Sequence, residues 1–236
     1  MKQLFKKLIE ENPLEPTVKI VYKCLYQEII SLHLLPGSKI NLSKISEELD
    51  VSRTTVRDAA IFLSTNTKLV KMQSNQGFFV SNIDLVEMDN ICTCRTIIET
   101  GAARILCEKI TSEQIKFFYD LANNMNICVH ENKLKEYANI DILFHKSIID
   151  FCENKFVSKM YYKISDLISR YIFYTVYFKN INDFAPLLRH HNIIVHSLEN
   201  SLINDVDLAI RKHCSDSQKF LAQSDSFLLY SAINGN

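Results

Sequence analysis

The chain has 236 residues, of which 47% are hydrophobic and 23% charged, and its 27 basic side chains balance its 27 acidic ones. No apolar run is long enough to cross a membrane, and the N-terminus lacks the uninterrupted apolar stretch of a signal peptide. With only 4 glycines and 4 prolines, a fold of many short strands is disfavoured and long helices are expected.

The first eighty residues predict three helices followed by a hairpin. Apolar residues recur at helical spacing in the helical stretches, and Ser52 is a good N-cap for the third helix. Two alternating runs then enclose the turn sequence Ser-Asn-Gln-Gly, which is typical of a β-hairpin. The predicted elements are helices over 17–33, 41–49 and 52–63, and strands over 69–73 and 77–81.

From Asp84 onward the apolar residues recur only at helical spacing. Helices are predicted over roughly 84–108, 112–130, 133–152, 155–178, 184–202 and 204–222. The predicted fold class is therefore mainly α. It comprises an N-terminal winged helix-turn-helix domain, an all-helical bundle domain and a C-terminal tail, over 1–82, 83–224 and 225–236 respectively.

The helices over 41–49 and 52–63 predict a helix-turn-helix, whose second helix enters the major groove of DNA. Four residues stand at the exposed, positive N-terminal end of this second helix, where backbone N–H groups favour phosphate. They are Ser52, Arg53, Thr54 and Thr55. Arg57 lies on the same helical face as Arg53, so the pair could contact a guanine or clamp a phosphate. The alternative is two solvated arginines on an ordinary three-helix unit.

The charge distribution is compatible with DNA binding by the N-terminal domain. Residues 1–80 hold 11 Lys and Arg against 8 Asp and Glu, whereas residues 81–236 hold 16 against 19. A slightly basic N-terminal part and a slightly acidic remainder are compatible with a local DNA-binding patch, although many unrelated proteins share this charge distribution. The seven cysteines are irregularly placed, which indicates reduced thiols and a cytoplasmic protein.

The stretches LHLLPGSKINLSKISEELDVSRTTVRDAAIFL and LVKMQSNQGFFV resemble the winged-helix domain of the GntR family of bacterial transcription regulators. The resemblance implies that Arg53 and Arg57 contact DNA and that the hairpin, with Gln76 and Gly77 at its turn, is a wing over the minor groove. The family pattern has a proline at Thr55 and commonly an arginine at Gln76. It has glycines where this chain has Asp50 and the segment 64–68.

The C-terminal helices carry a pattern that predicts a metal site. Asp141 and His145 are four residues apart and should project together from one helical face. His191 shares a face with Ile194, and His213 is expected to face inward from the last helix. One carboxylate and three imidazoles from facing helices suit Zn, Ni or Mn ions. The alternative is four separate core residues that never meet.

The same region resembles the FCD ligand-binding domain of the FadR-type GntR subfamily. The resemblance rests on Arg95 with Glu99, on the Asp-x-x-Phe-His pattern ending at His145, on Asn154, and on the spacing of His191 and His213. It implies that Asp141, His145, His191 and His213 bind a divalent metal, zinc being the most favoured. His190 stands where the family often has a glutamate, which leaves a choice between His190 and His191 as the third ligand.

These observations predict a metabolite-responsive transcriptional regulator, a repressor that binds a palindromic double-stranded DNA operator as a homodimer. A small carboxylate effector is expected to complete the coordination of the metal. The effector-binding residues are predicted to be Arg95, Glu99, Asn154 and Arg170. The alternatives are a regulator of the same type with a metal-free pocket for another ligand, and a metalloenzyme. We expect a protein without enzymatic activity.

Overall fold

The computed structural model describes residues 1–178 and 184–222, so the predicted tail over 225–236 lies outside the described residues. The chain divides into two compact units, the first containing Met1–Ile83 and the second beginning at Asp84. The described residues are mainly helical, with one two-stranded sheet, which confirms the predicted fold class. No helix in the described ranges is both long and apolar enough to cross a membrane.

The first unit is a helical group followed by a hairpin. Its elements are α1 (Lys2–Glu11), α2 (Thr17–Ile30), α3 (Leu42–Leu49), α4 (Arg53–Asn66), β1 (Val70–Gln73) and β2 (Gly77–Val80). Helix α4 packs on α2 and α3, and α1 packs on α2. The sequence patterns do not predict α1, because charges interrupt its apolar residues. Its buried residues, Phe5 and Leu8, lie on one face, and its lysines lie on the exposed face.

The hairpin is fixed to the backbone that leads into α3. Strands β1 and β2 pair in antiparallel fashion. On the other edge of β2, the N–H of Ile40 donates to the carbonyl of Phe78 at 2.9 Å, and the N–H of Val80 donates to the carbonyl of Ser38 at 2.9 Å. These bonds satisfy backbone groups that an edge strand would leave exposed, and they hold the hairpin beside the start of the helix-turn-helix.

Three residues of this unit, Leu32, Asp50 and Lys68, adopt left-handed backbone conformations just after helices. Asp50 follows α3 with φ of 54°, and Lys68 lies just after α4 with φ of 55°. This conformation is the one that favours glycine at the end of a helix. It explains why the GntR pattern has glycines at or near Asp50 and Lys68, and it shows that the chain adopts the same turns without them.

The second unit is entirely helical over its described residues. Its elements are α5 (Leu85–Cys107), α6 (Ser112–His130), α7 (Leu134–Phe151), α8 (Lys155–Tyr162), α9 (Ser165–Phe178), α10 (Ala185–Glu199) and α11 (Ile203–Ala222). Helix α5 packs on α7, α9 and α11, and α10 packs on α6 and α11. Helices α5, α7, α10 and α11 therefore surround a common interior.

The predicted single helix over 155–178 is wrong, because the structure has two helices there. The chain turns at Lys163 and Ile164, whose N–H groups bond three residues back rather than four. The hydroxyl of Ser165 donates to the carbonyl of Tyr162 at 3.2 Å, which satisfies a group at the end of α8. Apolar periodicity misses this break because Tyr161 and Ile168, on either side of it, are both buried.

Candidate functional site

The site in the second unit begins with the buried face of α7. Asp141, Phe144, His145 and Ile148 are buried on this face, whereas Leu143 is 43% exposed. The i, i+4 spacing therefore places Asp141 and His145 one above the other, directed into the bundle. Phe144 packs beside them, with its ring centroid 4.8 Å from that of His191.

Three helices bring an aspartate and three histidines to one point. His191 on α10 places its Nε2 atom 3.1 Å from Asp141 Oδ1 and 3.3 Å from His145 Nε2. The ring of His213 on α11 lies 4.6 Å from the ring of His145 and 4.5 Å from that of His191, measured between centroids. One ligand atom from each of the four residues lies within 4.8 Å of the others, and all four residues are buried. We call these residues the four-residue cluster.

The dimensions of the four-residue cluster suit a divalent ion. Two atoms bound to one tetrahedral zinc ion at about 2.05 Å lie about 3.4 Å apart. The separations of 3.1 and 3.3 Å are close to this value, whereas the 4.0 Å between His145 Nε2 and Asp141 Oδ1 exceeds it, so these two side chains would move closer together on binding an ion. The Nε2 atom of His191 faces Asp141 and His145, and the Nδ1 atom of His213 is buried without a hydrogen-bond partner among the described residues. The four-residue cluster could therefore hold a metal ion.

The structure distinguishes between the two adjacent histidines of α10. The side chain of His191 is fully buried and belongs to the four-residue cluster. His190 points differently, with its Nε2 atom 3.6 Å from the carboxylate of Asp216, and its ring centroid lies 6.1 Å from that of His213. His196 is exposed on the same helix. The geometry favours His191 over His190 as a ligand.

Glu99, a buried carboxylate on α5, contacts the ring nitrogen of His145 that faces away from His191. Glu99 Oε2 lies 2.8 Å from His145 Nδ1, and Glu99 Oε1 accepts a hydrogen bond from Arg95 Nε at 2.7 Å. Burial opposes ionisation of Glu99, but Arg95 and His145 together lower its pKa below the usual value. A carboxylate behind a metal-binding histidine is the common arrangement for orienting the imidazole.

The protonation states also suit metal binding. Burial opposes the charge on Asp141, yet the hydrogen bond from His191 and the nearby cationic groups lower its pKa to about 2. Burial lowers the pKa of His191, against the opposing effect of Asp141. Burial and the neighbouring histidines lower the pKa of His213 well below its ordinary value. An ionised carboxylate and neutral imidazoles are the forms that bind metals.

A cavity of about 40 Å³ lies beside the four-residue cluster. Asp141 belongs to both, and Arg95 and Tyr137 line the cavity as well. Arg95 is 5% exposed, and its Nη2 atom is buried without a hydrogen-bond partner among the described residues. The cavity is therefore lined by an arginine that carries a buried, unpaired N–H group and by Asp141, one residue of the candidate metal centre.

The four residues predicted to bind the effector occupy different places. Arg95 lines the cavity, whereas Glu99 stands behind His145. Asn154 is the N-cap of α8, and its side-chain oxygen accepts from the N–H groups of Phe156 and Val157 at 3.1 and 3.3 Å. Arg170 is buried on α9 and is not among the described residues that line the cavity. Of the four, Arg95 is the one placed to meet a ligand there.

The first unit carries a second candidate site at the start of α4. The Ser52 hydroxyl accepts from the N–H of Thr55 at 3.0 Å, and the hydroxyls of Ser52 and Thr55 lie 2.7 Å apart. Thr55 therefore takes part in the N-cap, at the position where the GntR pattern has proline. Arg53, Thr54 and Arg57 are exposed. The N-terminus of α4 is thus capped internally, and both arginines are available to a partner.

These residues border a broad groove of about 910 Å³ between α4 and the hairpin turn. Arg53, Thr54, Arg57, Gln76 and Gly77 all line it, so the structure brings five of the seven predicted DNA-contacting residues to one concave surface. Gly77 has φ of 98°, a conformation that side chains rarely adopt, which accounts for a glycine in this turn.

Some residues at the two sites escaped the sequence patterns. Lys39 and Asn41 line the same groove as Arg53. Their position between the Pro-Gly turn and α3 could have indicated that they lie beside the helix-turn-helix. Lys39 also lies over the ring of Phe79, at 5.9 Å from its centroid. In the cavity, Tyr137 precedes Asp141 by one helical turn, so the same spacing argument could have found it.

Two separate parts of the chain match the models of known families. Residues 17–80 match the model of the bacterial regulatory proteins of the gntR family, and residues 90–216 match the model of the FCD domain. The second match alone covers more than half of the chain. The first matches the helix-turn-helix and hairpin, and the second matches the helices that supply the four-residue cluster.

Relatives of known type extend over most of the chain. The HTH-type transcriptional repressor RspR of Escherichia coli (strain K12) is 24% identical over 215 residues, which are 90% of this chain and 92% of the relative. The gluconate operon transcriptional repressor of Bacillus subtilis (strain 168) is 20% identical over 185 residues, which are 77% of this chain and 75% of the relative.

Two solved structures share the fold. McbR/YncC of E. coli has a TM-score of 0.75 at 16% sequence identity, and the match covers 89% of this chain and 99% of that one. A putative GntR transcriptional regulator from Rhodococcus sp. RHA1 has a TM-score of 0.72 at 19% identity, with 87% and 97% of the two chains covered.

Proposed function

Because the chain belongs to the GntR family of bacterial regulatory proteins and carries an FCD domain, we propose that it is a repressor controlled by a divalent metal and a small carboxylate. It acts in the cytoplasm on a palindromic double-stranded DNA operator, to which it binds as a homodimer. Two helix-turn-helix units held by one dimer read two half-sites, which gives adequate affinity and specificity. The matched families are regulators, so we assign no catalytic role to the four-residue cluster.

The first unit performs the DNA recognition. Helix α4 presents Arg53 and Arg57 on an exposed face of the groove, and the hairpin turn presents Gln76 and Gly77 on the opposite rim. In the proposed complex the arginines meet base edges and phosphates in the major groove, and the turn reaches the adjacent minor groove. The amide groups of Gln76 can donate to phosphate or base acceptors but add no positive charge.

The single observation that carries the proposed sensor role is the convergence of the four-residue cluster inside a helical bundle. Asp141, His145, His191 and His213 would hold the ion, and Glu99 would keep His145 in the correct orientation. Zinc is the favoured ion because three imidazoles and one carboxylate match its preferred ligands. When bound, the metal supplies an electrophilic site for a carboxylate oxygen of the effector.

Arg95 is the residue proposed to recognise the effector. Its side chain lines the cavity that Asp141 also lines, and its buried Nη2 atom has no hydrogen-bond partner among the described residues. A carboxylate in this cavity would satisfy the buried donor, and a charge-assisted bond of this kind is stronger than a neutral one. Arg95 also bonds Glu99 on the same helix, so a ligand at Arg95 acts on the support of His145 as well.

Helix α5 is the element that would respond to the effector. This helix carries Arg95 and Glu99, and it packs on α7, α9 and α11. An effector changes operator affinity only to the extent that it binds one arrangement of the protein more tightly than another. The proposed response is a shift in the position of α5 when Arg95 gains a carboxylate.

Metal analysis tests the metal site. We expect one zinc ion per chain after exposure to zinc and removal of the excess, and loss of this ion in His191→Ala. The matched control is His196→Ala, which removes an exposed histidine from the same helix. Equal zinc content in His191→Ala and the control, with both variants folded, would overturn the metal site.

Operator binding tests the regulatory role. Selection from a random duplex library would supply the operator, and fluorescence anisotropy would give the affinity with zinc, with and without a panel of small acids. We expect at least one acid to change the affinity in wild type and to have no effect in Arg95→Ala. If no DNA sequence is selected, the proposed role as a DNA-binding regulator is contradicted. If an operator is selected but no acid changes the affinity for it, only the proposed carboxylate effector is contradicted.

A further inference from the structure

The cavity beside Asp141 limits the kind of acid that can act as effector, an inference that rests on the proposed function. Its volume of about 40 Å³ is small. A cavity of this size has room for several water molecules. A short acid fits such a space far better than a sugar acid or a tricarboxylate.

The polar groups of the cavity are gathered near the four-residue cluster. Arg95, Tyr137 and Asp141 all line the cavity, and Tyr137 and Asp141 lie one turn apart on the buried face of α7. Most of the other described lining residues are apolar. They include Ile91, Ile168, Ile172, Val176, Phe184 and Leu187. The cavity thus has a charged end, suited to a carboxylate, and an apolar remainder.

The hydroxyl groups of the two α9 residues Tyr171 and Thr175 already donate hydrogen bonds within the protein. Thr175 Oγ1 donates to the carbonyl of Tyr171 at 2.9 Å, and the Tyr171 hydroxyl donates to Glu87 Oε2 at 3.5 Å. Among the described lining residues beyond the charged end, Ser217 on α11 has the one remaining side-chain hydroxyl. A ligand hydroxyl placed against the α9 wall could at most donate to the oxygen of Thr175 or Tyr171, and beside the apolar side chains it would lose its hydrogen bonds to water.

We propose that the effector is a short aliphatic monocarboxylate, with its carboxylate at Arg95 and its tail against the α9 wall. A hydrophobic pocket rejects an added hydroxyl by a factor on the order of 100. A second carboxylate in the tail meets a larger penalty, because burial of an unpaired charge costs more than burial of a hydroxyl. The cavity therefore selects butyrate-like acids over hydroxylated and dicarboxylic acids of the same length.

Calorimetric titration of the zinc-loaded, full-length protein tests this selectivity with four acids. They are butyrate, 4-hydroxybutyrate, succinate and gluconate. Butyrate and 4-hydroxybutyrate differ by one hydroxyl at the end far from the carboxylate, so the hydroxyl has no access to the metal end. We expect butyrate to bind at least tenfold more tightly than 4-hydroxybutyrate, with succinate and gluconate weaker still.

Substitution of a residue in the α9 wall should alter the preference for butyrate over 4-hydroxybutyrate. Ile172 lines the cavity and is half-buried, so it can be replaced with little risk to the fold. Ile172→Asn offers a partner to a tail hydroxyl, and we expect the ratio between butyrate and 4-hydroxybutyrate to fall by tenfold or more. Ile172→Val keeps the wall apolar and serves as the matched control, with an almost unchanged ratio.

The outcomes separate this inference from the proposed function. Equal or tighter binding of 4-hydroxybutyrate, succinate or gluconate overturns the aliphatic monocarboxylate and leaves a carboxylate-responsive regulator intact. Binding of none of the four acids, with zinc present in the protein, overturns the carboxylate effector as well. An unchanged ratio in Ile172→Asn shows that the α9 wall does not hold the tail, which also contradicts the inference.

Discussion

Glu99 joins Arg95 to His145 through its two oxygens, with Oε1 2.7 Å from Arg95 Nε and Oε2 2.8 Å from His145 Nδ1. The lowered pKa of Glu99 keeps it ionised, so it can accept hydrogen bonds but cannot donate one. The proton between Glu99 and His145 must therefore belong to Nδ1. This leaves Nε2 of His145 directed toward His191 and the four-residue cluster, in the orientation that a metal ligand requires.

Removal of this support should weaken metal binding without removing a ligand. We expect Glu99→Gln to lower zinc affinity by about 10- to 100-fold, as loss of a supporting carboxylate does at other metal sites. Competition with a chromophoric chelator measures the affinity. Glu131→Gln, which removes an exposed carboxylate of the same unit, is the matched control and should bind zinc like wild type. Wild-type affinity in a folded Glu99→Gln protein would contradict the role of Glu99.

The metal-free protein should lose stability as the pH falls below about 6.5. The pKa values of His191 and His213 are lowered in the folded state, so the unfolded chain binds protons there that the folded chain resists. Stability therefore falls with decreasing pH, by at most about 1.4 kcal/mol per pH unit for each histidine. Asp141, with a pKa of about 2, contributes stability that is lost only below its unfolded value of 3.8.

Urea denaturation at pH 7.5, 6.5 and 5.5 measures this dependence above the range in which Asp141 titrates. We expect His213→Gln to show a smaller loss of stability between pH 7.5 and 5.5 than wild type. His196→Gln, which changes an exposed histidine, should keep the wild-type loss. Identical losses in the two variants would show that His213 does not contribute to the pH dependence.

DNA binding should depend on Arg57 far more than on an exposed lysine elsewhere. Arg57 borders the groove between α4 and the hairpin turn, and we expect Arg57→Ala to cost about 1–3 kcal/mol, or about 5- to 150-fold in operator affinity. Lys19→Ala removes an exposed positive charge from α2, outside the described groove residues, and should cost less than twofold. Fluorescence anisotropy at several salt concentrations measures both. Equal losses would indicate general attraction without a specific contact.

A glycine at Lys68 should stabilise the first unit. A residue with a Cβ atom in the left-handed conformation costs about 1–2 kcal/mol, and the greater freedom of glycine in the unfolded chain offsets about half of this. We therefore expect Lys68→Gly to raise the free energy of unfolding by up to about 1 kcal/mol. Thr65→Gly, in the preceding helix, should lower it by a similar amount. Chemical denaturation measures both, and a loss of stability in Lys68→Gly would contradict the assignment.

Helical periodicity accounts for much of what the sequence predicted. Because positions four apart on a helix share a face, the pattern places Asp141 beside His145, and the spacing from Ile194 places His191 inside the bundle. Their role as ligands remains a prediction. Periodicity cannot show how helices pack against one another, so the support that Glu99 gives to His145 was not predicted.

Other features depended on local hydrogen bonds or on burial that the sequence does not display. The interruption between α8 and α9 comes from the Ser165 hydroxyl, and serine occurs within helices too often to predict a break. Asn154 shows the converse, because a family pattern suggested an effector ligand where the structure shows an N-cap. The cavity combines residues from five helices and Phe184, a convergence that no single stretch of sequence reveals.

The shared position of Asp141 has a consequence for how signals would be combined. An ion in the cluster and an acid in the cavity would meet at this carboxylate, and thermodynamic reciprocity requires that each alter the affinity of the other by the same factor. If the cation between the two carboxylates strengthens binding of the acid, loss of the metal weakens binding of the acid by the same factor. The proposed regulator would then respond fully only when both the metal and the acid are bound.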